Sequence, residues 1–282
     1  MNDNLGIFPG VSWGEYAAID ALNGSSIVNM RKSPMYYRFL SDNPQPPTEA
    51  MILGTATHKL VLEPETVGDL AVWGEAEDQN VRRGKVWEEF QVAHSRQQII
   101  TIAQRDAMVG MAIGARRNAP IMRYCSAKGD TEVTMVWVDP VSGRKFKGRT
   151  DKLIPKGHVI FDLKTCVSCD KYKFGTIAFR LGYHIKMALY WNGYRTLTGN
   201  DPKCVLGAIE KTAPYEAAVY RCTSDVILQG LEDLDCLLRT LTQCEETGEW
   251  PPAEPDELEL TMPTYAYKQA DEDLSDLALV EM

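Results

Sequence analysis

The feature that most constrains the fold is a run of three strand-like segments between residues 131 and 165. The segment TEVTMVWVD alternates polar and apolar residues, and the turn sequence DPVSG follows it. RKFKGRTDKLI then predicts a returning strand, and a second turn at 155–157 leads into HVIFDLKT. Because both connections are short, the three strands should pair antiparallel as a meander.

Helical patterns surround this meander. The stretch 1–125 is predicted to be mainly helical, with one helix opened by Ser33 and Pro34 and another in MILGTATHKLVLEP. After the meander come helices at about 170–180 and 182–198, the strands KCVLGAIEK and YEAAVYRC, and a long amphipathic helix. The sequence therefore predicts an α/β fold, a mixed central sheet flanked by helices with a helical N-terminal part.

The charge is unevenly distributed. The chain has a net charge of −9, but residues 245–282 hold twelve Asp or Glu and one Lys, which leaves 29 basic and 27 acidic residues before them. Seven Lys or Arg against two Asp lie within 141–164. Such a local basic field suits phosphate binding, although a solvated charged hairpin would show the same composition. We expect one domain over 1–250, its sheet and helices in 130–250, and an acidic, Pro-rich tail over 251–282.

The cysteines and the apolar segments limit other classes of function. Seven cysteines, an odd number, do not suggest a disulfide framework. Cys166 and Cys169 have CxxC spacing, but no second CxxC accompanies them, so we expect reduced thiols and no iron–sulfur cluster. No apolar run approaches the ~18 residues needed to span a bilayer, and the N-terminus does not resemble a secretory signal. A cytoplasmic protein without a membrane partner is expected.

Two carboxylates and a lysine on the second and third strands suggest chemistry. Asp151 precedes the turn at 155–157, and Asp162 and Lys164 follow it on one face of the next strand. Antiparallel pairing can bring the carboxylates together, where they would repel each other unless a cation such as Mg²⁺ lay between them. A lysine beside the ion can orient or deprotonate water and stabilise developing charge. A chance D-x-K on an exposed strand is the alternative.

These residues resemble the signature of the PD-(D/E)xK nuclease superfamily, an acidic residue and a hairpin turn followed by D/E-x-K. Gly54 and His58 are similar to the GxxxH helix of the RecB-like branch, and in particular to RecE-type exodeoxyribonucleases. Glu132 matches a glutamate near the metal in that branch. Tyr190 matches the tyrosine of its Q-xxx-Y helix, whereas Lys186 stands where the family has glutamine. RKSPMYYRFL and GEWPP extend the resemblance over most of the chain.

The resemblance implies a role for each of these residues. His58, Asp151, Asp162 and the Leu163 carbonyl would hold Mg²⁺, for which Mn²⁺ could substitute. Lys164 would act on the attacking water, and Glu132 would assist near the metal. In the family, the pair at the positions of Lys186 and Tyr190, which share a helix face, touches the substrate strand or supports the catalytic groups. From their place on the catalytic hairpin, Arg149 and Lys147 are predicted to bind DNA phosphates, and Lys147 shares the strand face of Asp151.

The resemblance also implies a biological setting. The protein would be a phage or prophage exonuclease in a bacterial host cytoplasm. It would digest linear double-stranded DNA from an end, 5′→3′, and leave 3′ single strands for a partner annealing protein. Such enzymes are often ring-shaped homo-oligomers. Two alternatives stay open: a same-fold nuclease of other specificity, acting on single strands or as an endonuclease, and a non-catalytic DNA-binding phage protein.

Overall fold

The structure, a computed structural model, describes residues 4–76, 81–254 and 256–262. Its strands are β1 (Gly6–Phe8), β2 (Leu22–Asn23), β3 (Leu70–Trp73), β4 (Gln98–Thr101), β5 (Asp130–Val138), β6 (Lys145–Ile154), β7 (Val159–Cys166), β8 (Lys203–Glu210) and β9 (Ala217–Arg221). Its helices are α1 (Trp13–Ala18), α2 (Gly24–Val28), α3 (Pro34–Asp42), α4 (Glu49–Leu62), α5 (Lys85–Ala93), α6 (Ile102–Arg117), α7 (Ala119–Cys125), α8 (Lys171–Arg180), α9 (Tyr183–Thr198) and α10 (Ser224–Thr247). Two short 3₁₀ helices cover Asn29–Arg31 and Pro64–Asp69.

Within the described residues the main sheet has seven strands in the order β1-β5-β6-β7-β8-β9, with β2 beside β6. The meander β5-β6-β7 is antiparallel as predicted, β7 and β8 run parallel, and β9 returns antiparallel to β8. The parallel pair follows from the connection through α8 and α9, because a helical crossover returns the chain in the same direction. The predicted mixed α/β sheet flanked by helices is confirmed.

Strands β6 and β7 pair only near their shared turn. Residues 152–154 of β6 pair with residues 159–161 of β7, whereas β8 pairs with the other edge of β7 along its whole length, from Val159 to Cys166. The start of β6 pairs instead with β2, at Phe146 and Lys147. Residues 148–151 therefore have no strand partner on that side, which leaves a gap between β6 and β7 in the middle of the sheet.

Helices cover both faces of the sheet because its strands are apolar on both faces. On one face, Met135, Trp137 and Ile160 pack with α9 and α10 in the larger core cluster. On the other face, Phe161 and Leu163 pack with residues of α6 and α7. Alternate residues of β7 thus enter different cores, as the two-residue period of a strand requires.

The N-terminal part is less purely helical than predicted. Helices α3 and α4 lie where they were expected, with Ser33 and Thr48 as their N-caps. However, β1 and β2 join the main sheet, and β3 and β4 form a separate two-stranded parallel sheet. These strands have two to four residues, too few to establish a period of two against their helical surroundings.

The segment after α10 is extended where it is described. Trp250 stacks on Tyr37 at a centroid separation of 5.9 Å, and the Pro251 carbonyl accepts a hydrogen bond from the Met35 amide. The rest of the predicted acidic tail, beyond residue 262, lies outside the described residues. Among the described helices, none has the length and apolar character needed to cross a bilayer.

Candidate active site

The gap between β6 and β7 places Asp151 at the centre of a polar cluster. Its Oδ2 accepts a hydrogen bond of 2.6 Å from the Leu163 amide and lies 3.4 Å from Nδ1 of His58. The Leu163 amide points toward β6, at a position where β6 and β7 no longer pair. The Asp151 side chain therefore accepts the hydrogen bond that a backbone carbonyl of a paired strand would accept. Asp151 is 8% exposed, so the site is a recess rather than an open surface.

Helix α4 carries His58 to this recess. Gly54 lies one turn earlier on the same helix face, close to Thr165 of β7. A Cβ built on Gly54 would come no nearer than 3.8 Å to Thr165 Oγ1, an ordinary contact. The packing at this position therefore does not itself require glycine.

Glu132 lies across from Asp151 on the neighbouring strand. Thr131 pairs with Lys152 and Val133 with Thr150, so the register places Glu132 opposite Asp151. The φ of Glu132 is 50°, a left-handed conformation that is unusual for a non-glycine residue in a strand. Such conformations cost on the order of 1–3 kcal/mol and occur preferentially at functional sites. The backbone here adopts a strained conformation directly beside the predicted metal ligand.

Asp162 and Lys164 complete the polar cluster from β7. The Lys164 ammonium forms an ion pair with Asp162 Oδ2 and lies 5.5 Å from the centroid of the Tyr183 ring. The side chain of Lys164 is 20% exposed, whereas that of Asp162 is 5% exposed. Lys164 can thus be reached from solvent, while Asp162 lies beneath it.

Buried charges shift the pKa values of these groups strongly. Burial alone would raise the pKa of Asp151, but the nearby His58 and Lys164 and the hydrogen bond from Leu163 lower it to about 2. Burial and the neighbouring Asp151 raise the pKa of Glu132. Burial opposes the charge of Lys164, yet Asp162 and Asp151 raise the Lys164 pKa above its ordinary value. One carboxylate is thus held ionised while its neighbour resists ionisation, as expected where like charges share a recess.

The donor set suits a divalent cation. Ligand atoms of His58, Glu132 and Asp151 all lie within 4.8 Å of one another. One imidazole nitrogen and two carboxylates form a donor set for a divalent cation, and a cation there would relieve the repulsion between Glu132 and Asp151. The expected set held Asp162 and the Leu163 carbonyl, whereas the converging group holds Glu132. Glu132 and Asp162 are each ion-paired, with Arg149 and Lys164 respectively. The family resemblance had already implied a place for Glu132 near the metal, and the structure puts its carboxylate close to Asp151.

Helix α9 brings Lys186 and Tyr190 against the same gap. The Tyr190 hydroxyl donates a 3.0 Å hydrogen bond to the Arg149 carbonyl, and its ring lies against Gly148, where a Cβ would come within 2.9 Å. Burial and the charge of Lys164 lower the pKa of Lys186 to about 8. Tyr190 therefore supports β6 beside Asp151, and Lys186 faces the recess as a half-buried amine.

Arg149 lies at the rim of the recess. Its Nε donates to Glu132 Oε2 at 2.6 Å, and an Nη donates to the Val11 carbonyl at 2.9 Å. The guanidinium carbon lies 6.0 Å from the ring centroid of Trp13 and 5.9 Å from that of Tyr16. The sequence analysis did not single out these two aromatic residues of α1, and Trp13 is 69% exposed. Only the fold, which lays α1 over β6, brings them to the site.

Lys147 requires a correction. It shares the strand parity of Asp151, but its ammonium is buried beneath α1 and donates to three backbone carbonyls, at 2.7 to 3.1 Å. The three acceptors lie at the end of that helix: Tyr16, Ala17 and Ile19. Helix ends leave carbonyls without partners, and a lysine can satisfy them. The structure therefore does not support Lys147 as a DNA contact, because the residue is 6% exposed and its ammonium already donates three hydrogen bonds.

Lys147→Met should destabilise the fold without weakening DNA binding. The variant keeps an apolar side chain but leaves three backbone carbonyls without their donor. A buried polar group without a hydrogen bond costs about 1–3 kcal/mol. We expect the free energy of unfolding to fall by about 2–4 kcal/mol. Denaturant unfolding measures this, and the salt dependence of DNA affinity should keep its slope. Lys156→Met, in the exposed turn of the same hairpin, is the matched control. A shallower salt slope with unchanged stability would restore the DNA contact.

Comparisons with known proteins identify a family and similar folds. The family described as PDDEXK-like domain of unknown function (DUF3799) matches residues 25–259. Among solved structures, a candidate exonuclease from Eubacterium rectale superimposes with a TM-score of 0.63 and 15% identity, over 90% of this chain and 95% of that one. An alkaline exonuclease from Laribacter hongkongensis gives a TM-score of only 0.30 at 13% identity, over 59% and 85% of the two chains. No curated protein matches in sequence.

Proposed function

We propose that this chain, which belongs to the family of PDDEXK-like domains of unknown function, is a divalent-metal-dependent DNA exonuclease. The observation that carries the proposal is the convergence of His58, Glu132 and Asp151 beside Lys164, in the gap between β6 and β7. A structural or DNA-binding role alone would give no reason for carboxylates facing each other in a recess, beside a strained backbone.

A divalent ion is held, in this proposal, by His58, Glu132 and Asp151, with Asp162 and the Leu163 carbonyl as the further ligands that the family resemblance suggests. Mg²⁺ is the proposed ion and Mn²⁺ a substitute. When bound, such an ion supplies positive charge to a phosphodiester and acidifies a coordinated water. The protein contributes a preorganised recess that fixes the donors before the substrate arrives.

The protein side chains have separable roles in this proposal. Because its pKa is raised, Lys164 is protonated at neutral pH and acts as a charged donor that orients water and stabilises developing negative charge. Tyr190 positions the β6 backbone through the Arg149 carbonyl. Lys186 and Arg149, two cationic groups around the recess, are proposed to contact the phosphates of the DNA strand.

The proposed polarity, substrate, partner and oligomeric state rest on the RecE-type resemblance. We propose 5′→3′ digestion of linear double-stranded DNA, which supplies 3′ single strands to an annealing protein, by a ring-shaped homo-oligomer in a bacterial cytoplasm. The basic hairpin of residues 141–164 provides the local field for a DNA partner despite the net negative charge of the chain.

A digestion assay on linear and circular duplexes tests the proposal. With Mg²⁺ we expect linear DNA to be degraded, covalently closed circles to stay intact, and EDTA to stop the reaction. Duplexes labelled at the 5′ or the 3′ end then give the direction. Nicking of circles would instead indicate an endonuclease. Faster digestion of single-stranded DNA than of duplex would indicate a single-strand exonuclease. DNA binding without cleavage under either Mg²⁺ or Mn²⁺ would refute the enzyme.

A further inference from the structure

A second group of metal-type ligands lies just after the end of β7 and at the β8–β9 hairpin. Ligand atoms of Cys169, Glu210 and Glu216 all lie within 4.8 Å of one another. Cys166, the first cysteine of the CxxC pair, is the Cα partner of Glu210 across the parallel strands β7 and β8. The nuclease chemistry proposed above uses none of these four residues.

Backbone contacts fix the three segments that carry this group. The Cys169 amide donates to Glu210 Oε1 at 2.8 Å, which ties the loop after β7 to the end of β8. The Glu210 amide donates to the Glu216 carbonyl at 2.8 Å, which closes the β8–β9 hairpin. The Tyr220 hydroxyl donates to the Cys169 carbonyl. The ligands are thus held by the fold and not by chance surface proximity.

The two thiols lie in a setting that suits metal binding. Cys166 and Cys169 are 4% and 8% exposed. A hydrogen bond from the Ser168 backbone reaches the Cys166 thiol, and such a contact favours the thiolate form. Burial nevertheless raises the thiol pKa to about 12 for Cys166 and about 11 for Cys169, and the neighbouring Glu210 contributes in both cases. Without a cation, both thiols are therefore protonated at neutral pH.

The cluster differs from the other buried cysteines of this chain. Cys125, Cys204 and Cys244 are also buried. In the described part of the chain, none of these three belongs to a group of converging metal-type ligands. Apolar packing is enough to account for them, because a free thiol behaves as a small hydrophobic group. Cys166 and Cys169 also lie in the larger apolar cluster, and what distinguishes this pair is the convergence of Cys169 with Glu210 and Glu216.

We propose that Cys166, Cys169, Glu210 and Glu216 form a binding site for a thiophilic divalent cation, of which Zn²⁺ is the natural candidate. Zn²⁺ takes thiolate sulfur and carboxylate oxygen in four-coordinate structural sites, and CxxC supplies two ligands from one turn. Binding releases the two thiol protons to solvent, so two thiolates and two carboxylates surround the ion. The ion joins the loop after β7 to the β8–β9 hairpin, and so anchors the end of the strand that carries Lys164.

Cobalt(II) titration of the reduced, full-length, metal-free protein tests the site. Thiolate ligands give Co²⁺ a near-ultraviolet charge-transfer absorption, and the recess of His58, Glu132 and Asp151 contains no sulfur. The absorption therefore reports the cysteine cluster alone. We expect it to saturate at one equivalent per chain and to disappear when Zn²⁺ is added. Cys169→Ser leaves only the Cys166 thiolate, so the absorption should become clearly weaker, whereas Cys236→Ser, which removes an exposed thiol on α10, should leave it unchanged.

Glu216→Gln separates ligand loss from misfolding. Glu216 is exposed, so this variant should fold as the wild type does, and we expect its affinity for Co²⁺ to fall at least about 10-fold. The proposal fails if the reduced wild type shows no charge-transfer absorption, if the absorption is undiminished in Cys169→Ser, or if Glu216→Gln binds with unchanged affinity. The result is independent of DNA cleavage, so either the site or the proposed nuclease can fail without the other.

Discussion

Replacing Lys164 with alanine should lower the rate of DNA cleavage by at least about 1000-fold, which amounts to loss of detectable activity. Lys164 is the cation that lies beside both Asp162 and Asp151, and its raised pKa keeps it charged at neutral pH. Alanine removes that charge from the position where negative charge develops. Single-turnover cleavage of an end-labelled duplex, at saturating enzyme and Mg²⁺, measures the chemical step directly.

The stability of this variant must be measured as well. Removing one partner of a buried ion pair costs about 3–5 kcal/mol when the other charge is left without compensation. Asp162 can avoid part of this cost by protonation, because burial and the neighbouring Asp151 already raise its pKa. We therefore expect Lys164→Ala to fold, with a lowered Tm.

The matched control is Lys173→Ala, which removes an exposed lysine from α8, the helix after β7. The control should cleave DNA at the wild-type rate, whereas folded Lys164→Ala should retain Mg²⁺ and DNA binding without cleavage. More than a tenth of the wild-type rate in folded Lys164→Ala would remove Lys164 from the catalytic machinery.

The large elements of the fold could be predicted because they carry long patterns. Strands β5, β6 and β7 have eight to ten residues each and are separated by turn sequences, so both their type and their antiparallel order follow from the sequence. Strands β1 to β4 could not be found in the same way. They have two to four residues and are fixed by partners far away in the chain, such as Phe146 for Leu22 of β2.

The site was predictable as a set of residues but not as an arrangement. Motif spacing predicts Asp151, Asp162 and Lys164, and the structure brings all three to the gap between β6 and β7. The alternation of side chains along β6 puts Lys147 on the same face as Asp151, but it could not reveal that α1 covers Lys147. Glu132 has a positive φ, a conformation that the strand pattern of the sequence does not indicate.

Asp151→Asn should abolish both metal-dependent stabilisation and DNA cleavage while the fold persists. The variant side chain can still accept the hydrogen bond from the Leu163 amide, so the contact between β6 and β7 remains possible. It loses the negative charge that faces His58 and that would hold the cation. For the wild type, Mg²⁺ at 100 times its dissociation constant should raise the free energy of unfolding by about 2.7 kcal/mol. Thermal unfolding of the variant with and without Mg²⁺ should show no such increase.

The pH dependence of stability gives a second readout that does not involve metal. The folded-state pKa of Asp151, about 2, lies below its ordinary value. Its ionised carboxylate therefore contributes stability above the ordinary pKa, about 2 kcal/mol, and this contribution is lost as the pH falls toward 2. Asp151→Asn should remove that part of the acid-induced destabilisation. Denaturant unfolding between pH 5 and pH 2 measures the free energy of unfolding at each pH, and the variant should lose less of it than the wild type as the pH falls.

Asp130→Asn is the control for both measurements, because Asp130 is an exposed carboxylate on β5, two residues before Glu132. It should keep the wild-type response to Mg²⁺ and the wild-type acid profile. If Asp151→Asn were still stabilised by Mg²⁺ to the wild-type extent, the cation would have to bind without the residue on which His58, Glu132 and Leu163 converge. The recess between β6 and β7 would then not be the metal site.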